Sequence, residues 1–257
     1  MCNGTHQASQ GPRYIMSRRQ FSAATAGLGA AMVMHVAGAQ DVPPGATPTG
    51  DPSTYPVSKV DAYVVGLHCT KDDPQMQMEA HHFCQVLPDG TIQCALYDGG
   101  VIGSKLIGVE YIVSGEVFDT FAEDEKQYWH PHNYEIISGV LNLLDAPDDA
   151  ERGLMEMLVN SYGKTWHTWH TGRPDGVGMP GDPAPFGVPT LQWSFNADGE
   201  ADPSLVASME ERLDIDVAAE RESRADLVEV MEPQSGVDDL RDAFPNATPV
   251  PGIEDAG

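Results

Sequence analysis

Four runs in the first half of the chain carry the residue patterns of β-strands. Val60–Cys69, Glu79–Leu87 and Thr91–Tyr97 are rich in β-branched, aromatic or alternating apolar residues. Pro88-Asp89-Gly90 lies between the last two of these runs and predicts a hairpin turn. Leu106–Val113 is almost continuously apolar, which is typical of a strand that is buried on both faces. Together these runs predict an antiparallel meander.

The second half of the chain mixes helical and extended patterns. Asp148–Tyr162 contains the clearest helix, because Leu154, Met157 and Leu158 form one apolar stripe and acidic residues open its first turn. The other predicted elements are a short helix at Glu116–Trp129, strands at Tyr134–Leu144, Thr165–Thr171 and Leu191–Phe195, and a charged helical segment at Ser204–Met231. The predicted fold class is α+β: a mostly antiparallel sheet with two or three flanking helices in a single domain.

Composition places this domain at residues 57–231. Residues 40–56 hold five prolines among Gly, Ser and Thr, which predicts an extended linker. Residues 232–257 are rich in Pro and Asp, which predicts an acidic, disordered tail. Within the domain, Gly172–Pro189 is a Gly- and Pro-rich loop of 18 residues, long enough to have a function of its own.

Residues 1–39 match a twin-arginine signal peptide with an upstream extension. The core motif is Ser17-Arg18-Arg19-Gln20-Phe21, in which Arg18, Arg19 and Phe21 are the characteristic residues. An uncharged stretch rich in Ala and Gly follows, and Ala37-Gly38-Ala39 supplies small residues for cleavage. Either Met1 or Met16 serves as the start in this interpretation. We therefore expect export by the twin-arginine machinery to the periplasm or the extracellular space.

The charge balance is strongly acidic and narrows the range of partners. There are 39 acidic residues against 14 basic ones, for a net charge of −25. Such a surface repels nucleic acid, because it offers few cations to replace the counterions of a phosphate backbone. The acid excess fits adaptation to high salt, or a soluble protein with an acidic tail. No segment of the mature chain is apolar enough to predict a membrane span.

Histidines are the main candidates for chemistry, and six of them occur in three pairs: His81 and His82, His130 and His132, His167 and His170. Residues i and i+2 of a strand share a face, so His130 and His132 are expected to converge, whereas adjacent His81 and His82 point apart. Imidazoles beside a carboxylate suit zinc, iron or manganese. The predicted divalent transition-metal ligands are His130, His132, Glu135, His82 and His167.

Two other interpretations of these histidines stay open. They fit buried polar residues satisfied by hydrogen bonds beside tryptophans, or an acid–base group without metal. The spacing of His130, His132 and Glu135 resembles part of the first cupin metal motif, but the second cupin motif is not evident.

Cysteine offers a separate possibility. Cys84 and Cys94 flank the predicted hairpin turn, which would place them near each other on paired strands. The pair fits a disulfide, two metal ligands or two buried thiols. The common hydrolase, kinase and dinucleotide motifs are absent from the sequence, so the residues by themselves identify no reaction.

Read in order, the chain resembles the oil-body-associated protein family known from seed plants, whose biochemical activity is unassigned. The matching runs are His81-His82-Phe83-Cys84, Gln93-Cys94, Tyr97-Asp98, Leu106–Ile112 with Ser114, Glu125-Lys126, Trp129-His130, His132, Tyr134-Glu135, Ser138-Gly139, Tyr162–Trp169, Leu191, Ser194-Phe195, Asp198-Gly199, Glu220-Arg221 and Ser223-Arg224. The chain departs from the family pattern at His170 and in the longer Gly172–Pro189 loop.

The resemblance implies a compact domain and, in plants, residence on lipid bodies, but it transfers no catalytic residue. We therefore expect an exported prokaryotic member whose domain binds a small ligand or a lipid surface. The alternative is a metal-dependent enzyme that uses the region of His130, His132 and Glu135.

Overall fold

A computed structural model describes residues 50–172 and 181–257, and Asp51–Gly257 forms one compact unit. The strands are β1 (Ala62–Thr70), β2 (Asp73–Val86), β3 (Ile92–Tyr97), β4 (Leu106–Ser114), β5 (His130–Pro131), β6 (Asn142–Leu143), β7 (Ser161–His167), β8 (Thr190–Trp193), β9 (Ala197–Asp198) and β10 (Thr248–Pro249). The α-helices are α1 (Gly115–Asp119), α2 (Glu123–Lys126), α3 (Asn133–Ile137), α4 (Asp148–Leu158), α5 (Pro203–Leu213) and α6 (Val217–Ser223). The fold is α+β and is dominated by antiparallel pairing.

The main sheet closes on itself. β1 pairs with β2 along one side and with β8 on the other, and the order β1-β2-β3-β4-β7-β8 returns to β1. We call these six strands the ring. Because successive side chains of a strand point to opposite faces, every second residue of each ring strand faces a shared interior. The ring therefore brings together residues that are distant in sequence.

The β2–β3 hairpin forms where the predicted turn lies. Gly90 has φ +87, the left-handed conformation that a residue with a side chain rarely adopts. Cys84 pairs directly with Cys94 across this hairpin, and the two form a disulfide. Cys69 is a buried thiol on β1.

The helices are more numerous than the two or three predicted, since six lie in the part of the chain that the structure describes. The sequence pattern predicts a strand at Tyr134–Leu144, but the first half of this segment is the helix α3. Gly139 ends this turn with φ +83, as glycine commonly does after a helix. The aromatic and β-branched residues that suggested a strand are instead buried by tertiary packing, and Ile136 is fully buried.

The carboxyl-terminal segment differs from the predicted disordered tail. Four of its apolar side chains are buried in the main core: Val237, Leu240, Val250 and Ile253. These residues are too widely spaced among Pro and Asp to produce a helical or strand period, so the sequence pattern does not reveal them. β10 also pairs with β9.

Several predictions fall on residues that the structure does not describe. The twin-arginine signal at residues 1–39, residues 40–49 of the linker and residues 173–180 of the long loop all lie outside the described ranges. Among the residues that are described, no helix has the length and apolarity needed to cross a membrane.

Candidate metal centre

The carboxylate of Glu110 lies at the centre of a buried histidine cluster. Glu110 lies on β4, between β3 and β7 of the ring, and is only 2% exposed. Four histidine Nε2 atoms surround its two oxygens: His82 at 2.9 Å and His68 at 4.0 Å from Oε2, and His132 at 3.3 Å and His130 at 3.4 Å from Oε1. All four histidines are buried. We call these five residues the histidine–glutamate cluster.

The ring positions these side chains through strand register. His68 lies on β1 and His82 on the neighbouring β2, and their Nε2 atoms are 3.3 Å apart. His130 belongs to β5, which pairs with β7. His132 is the first residue after β5 and immediately precedes α3. The short β5 thus delivers two imidazoles, with ring centroids 5.0 Å apart, to the Oε1 side of Glu110.

The hydrogen bond at Nδ1 of His82 determines which of its ring nitrogens carries the proton. Nδ1 is 3.3 Å from the carbonyl oxygen of Val64, which can only accept a hydrogen bond. In the neutral ring, Nδ1 therefore holds the hydrogen, and the Nε2 lone pair points at Glu110. Two acceptors at 2.9 Å repel each other unless a proton or a cation lies between them.

His132 has the same arrangement through a different partner. The Ser161 hydroxyl donates to the carbonyl oxygen of Leu158 at 2.7 Å, so it accepts from Nδ1 of His132 at 2.8 Å. This leaves the Nε2 lone pair of His132 directed at Glu110. Metal-binding histidines commonly donate their second ring N–H to a carbonyl or another polar group in this way.

The electrostatics of the cluster favour an ionised Glu110 beside neutral His68 and His130. Burial raises the pKa of Glu110, but the imidazoles of His130, His132 and His82 around the carboxylate bring that pKa well below its usual range. Burial lowers the pKa of His130, and it lowers the pKa of His68 further with help from the charge of His82. An anionic carboxylate with neutral imidazoles is the protonation state that metal binding requires.

A glycine keeps a space open beside three of these side chains. A Cβ placed on Gly163 of β7 would lie 2.3 Å from Oε1 of Glu110 and 2.6 Å from Nε2 of both His130 and His132. A side chain at this position would clash with all three ligand atoms, so glycine allows them to converge. Both ring nitrogens of His130 also lack a hydrogen-bond partner, although the ring is completely buried.

The structure places the five sequence-predicted ligands in different roles. His82, His130 and His132 are in the cluster. His167 lies just behind it, with Nε2 3.3 Å from Nδ1 of His68, and burial followed by the charges of His82 and His170 lowers its pKa to about 3.

Glu135 is in α3 and borders the cavity next to the cluster, but it belongs to neither ligand group found in the described residues. Burial, followed by the charge of Glu110, raises its pKa well above the usual range. Its Oε1 is buried without a hydrogen-bond partner.

Sequence reasoning missed Glu110 and His68. Glu110 interrupts an apolar run, and a carboxylate there needs a partner if it is buried, which was the available signal. The strand itself is not buried on both faces as predicted, because Leu106, Val109 and Tyr111 are exposed. His68 stands alone in an apolar strand and carries no spacing motif.

Adjacent residues of a strand point to opposite faces, so His81 points away from the cluster that contains His82. His81 instead contacts Tyr63 and Glu79.

A narrow cavity of about 30 Å³ adjoins the cluster. His68, His82, Glu110 and His132 border it on one side, and most of the remaining wall is apolar. A metal at the cluster would face this space, where it could polarise a small ligand or lower the pKa of a water molecule.

The donor set of nitrogen and oxygen atoms suits zinc, iron, manganese, nickel or copper. Ligand atoms about 2.0–2.2 Å from one metal lie roughly 3.0–3.5 Å apart in tetrahedral or octahedral geometry. The His82–Glu110, His132–Glu110, His130–Glu110 and His68–His82 separations run from 2.9 to 3.4 Å.

Similarity to known proteins covers most of the described region. The family model described as "Protein of unknown function (DUF1264)" matches residues 54–228. "Oil body-associated protein 1A" of Zea mays is 36% identical over 188 residues, which are 73% of this chain and 75% of that protein. "Oil body-associated protein 1B" of Arabidopsis thaliana is 33% identical over 173 residues, 67% of this chain and 69% of that protein. No solved structure matches the chain. The chain therefore belongs to the DUF1264 family of oil-body-associated proteins.

Proposed function

We propose that this chain is a metal-dependent protein that holds a divalent transition metal inside the ring, at the histidine–glutamate cluster. One observation carries the proposal: four buried Nε2 atoms converge on one buried carboxylate. In two of these imidazoles, those of His82 and His132, the other nitrogen, Nδ1, already donates a hydrogen bond to an acceptor. The adjoining cavity is where a small ligand would meet the metal, which keeps a catalytic role within the proposal.

The competing explanation is a proton rather than a metal. Protonated His82 and His132 would each place an N–H against Glu110, but protons on those two imidazoles leave both nitrogens of the buried His130 without a partner. Burial also opposes the charged forms of His68 and His130. A single divalent cation compensates the carboxylate and engages several lone pairs at once, and the excess of acidic residues attracts cations to the protein.

Metal content tests the proposal directly. Protein purified without a histidine tag should contain about one equivalent or more of a transition metal by elemental analysis. A ligand that binds only the folded state at 100 times its Kd stabilises that state by about 2.7 kcal/mol. Removal of the metal with a chelator should therefore lower the free energy of unfolding by about that amount, and re-addition should restore it. Metal-free protein whose stability does not respond to added zinc, manganese or iron would contradict the proposal.

Export is proposed together with metal loading. The Arg18-Arg19 motif supports the twin-arginine route, which carries proteins that are already folded. A buried metal site of this kind must be loaded as the protein folds or after local opening, so folding before export would let the protein acquire its metal in the cytoplasm. Lipid-surface contact, suggested by the names of the plant relatives, stays a prediction.

Replacement of Arg18 and Arg19 by lysine should trap the protein in the cytoplasm. The twin-arginine pair is the recognised feature, so charge alone should not substitute for it. Fractionation of expressing cells would show uncleaved precursor in the cytoplasm and loss of the exported form. Arg241→Lys, an exposed arginine outside the signal, is the matched control and should be exported normally. Normal export of the double variant would refute the proposed route.

A further inference from the structure

The two oxygens of Glu110 face two different pairs of histidines. Oε2 faces His82 and His68, and Oε1 faces His130 and His132. Among the described residues, the atoms within each of these groups of three lie within 4.8 Å of one another. The five residues are not gathered into one such group, so the cluster has two centres rather than one.

From this arrangement we propose that the cluster binds two divalent cations, with the Glu110 carboxylate bridging them. This inference rests on the proposed metal function. We call the place between His68, His82 and Oε2 position A, and the place between His130, His132 and Oε1 position B. A carboxylate that gives one oxygen to each metal is a common bridge, and paired metals typically lie about 3.5–4 Å apart.

Position A has the spacing of a metal site. Its ligand atoms are separated by 2.9 Å (His82 to Oε2), 3.3 Å (His82 to His68) and 4.0 Å (His68 to Oε2). Nδ1 of His68 is 3.3 Å from Nε2 of His167, and Nδ1 of His82 lies at the Val64 carbonyl oxygen. Contacts at Nδ1 therefore orient both imidazoles so that their Nε2 atoms point to position A.

Position B is supported by separate observations. Only glycine fits at residue 163, because a Cβ there would lie 2.3 Å from Oε1 of Glu110 and 2.6 Å from Nε2 of both His130 and His132, so no side chain of this residue separates the three ligand atoms. His130 is completely buried with both nitrogens lacking a hydrogen-bond partner, a state that normally calls for an unseen partner. Each position has three protein ligands, which leaves further coordination sites for water or a small ligand.

Stoichiometry tests the inference. The full chain is stripped with a chelator, titrated with manganese, desalted and analysed for bound metal. We expect two equivalents in the wild-type protein, and one each in His68→Ala, which lacks position A, and His130→Ala, which lacks position B. His170→Ala removes a half-buried histidine outside both groups and should keep two equivalents. Electron paramagnetic resonance of the doubly loaded wild type should show exchange coupling, which disappears in both single-site variants.

The outcomes separate the two proposals. One equivalent of uncoupled manganese in the wild type would overturn the two-cation inference and leave the metal function standing. No bound metal, with zinc and iron also failing, would overturn both. Because the wild-type stoichiometry and its coupling decide the question, the test holds even if a histidine variant fails to fold, which circular dichroism would reveal.

Discussion

Glu110→Gln is expected to abolish metal binding. Glutamine preserves the shape of the side chain but removes the only carboxylate charge that the four Nε2 atoms share. Loss of a residue that hydrogen-bonds to a metal ligand lowers metal affinity by roughly 10- to 100-fold. Loss of the central ligand itself should therefore lower metal affinity by more than about 100-fold. The amide can also donate hydrogen bonds to Nε2 lone pairs, so the metal-free variant should remain folded. Isothermal titration with zinc and elemental analysis would measure the change.

Glu135→Gln is the matched control, because it makes the same chemical change in another buried carboxyl beside the same cavity. It should retain wild-type metal content, since Glu135 lies outside both groups of potential ligands in the described residues. The reverse outcome, with metal lost in Glu135→Gln and kept in Glu110→Gln, would support the ligand set predicted from sequence and refute the one drawn from the structure.

Gly163→Ala is expected to remove metal from the space between Glu110, His130 and His132. The added methyl would lie 2.3–2.6 Å from their ligand atoms and would push these atoms out of the positions in which they converge. Those side chains would have to move, and overpacking of a buried site typically costs about 1–3 kcal/mol. Loss of about one equivalent of metal, or a fall in affinity of at least about 100-fold, should accompany that destabilisation.

Gly153→Ala provides the comparison. Gly153 lies in α4, and a Cβ there meets nothing within 4 Å. Alanine is favoured over glycine in a helix by about 0.8–1.0 kcal/mol, so this variant should gain slightly in stability and keep its metal. Urea unfolding and elemental analysis of both variants would decide the matter. Wild-type metal affinity in Gly163→Ala would show that no cation occupies that space.

Local patterns were sufficient to identify part of the candidate site. The i, i+2 spacing of His130 and His132 predicts that they meet on one face of a strand; their imidazoles do meet, but His132 lies before α3 in helical conformation rather than on a strand. Strand alternation predicts that only one of His81 and His82 reaches a given site, and His81 points away from the cluster. Glu110 and His68 depend on long-range register, because β4 and β1 meet the other ligands only after the ring closes. In the sequence, Glu110 is only a single carboxylate within the nearly continuous apolar run Leu106–Val113, and no local spacing connects it with the histidines.

The fold shows the same division. The β2–β3 hairpin could be predicted, since its turn residues and flanking strands are local signals. The α3 helix could not, because Tyr and Ile favour strands and only packing around Ile136 reverses that preference. The order of residues 232–257 likewise depends on tertiary contacts made by four scattered apolar side chains, among them Val237 and Leu240.

Closure of the ring has a kinetic consequence. The five residues of the cluster are no more than 3% exposed, so a cation bound there is not in direct contact with bulk solvent. A cation held there could leave only when strands or helices open locally, and such openings in a packed core approach the free energy of global unfolding. Removal by a chelator would then follow the opening rate of the protein rather than the strength of the chelator. The metal carried by the protein would record the compartment in which it folded, not the one in which it finally resides.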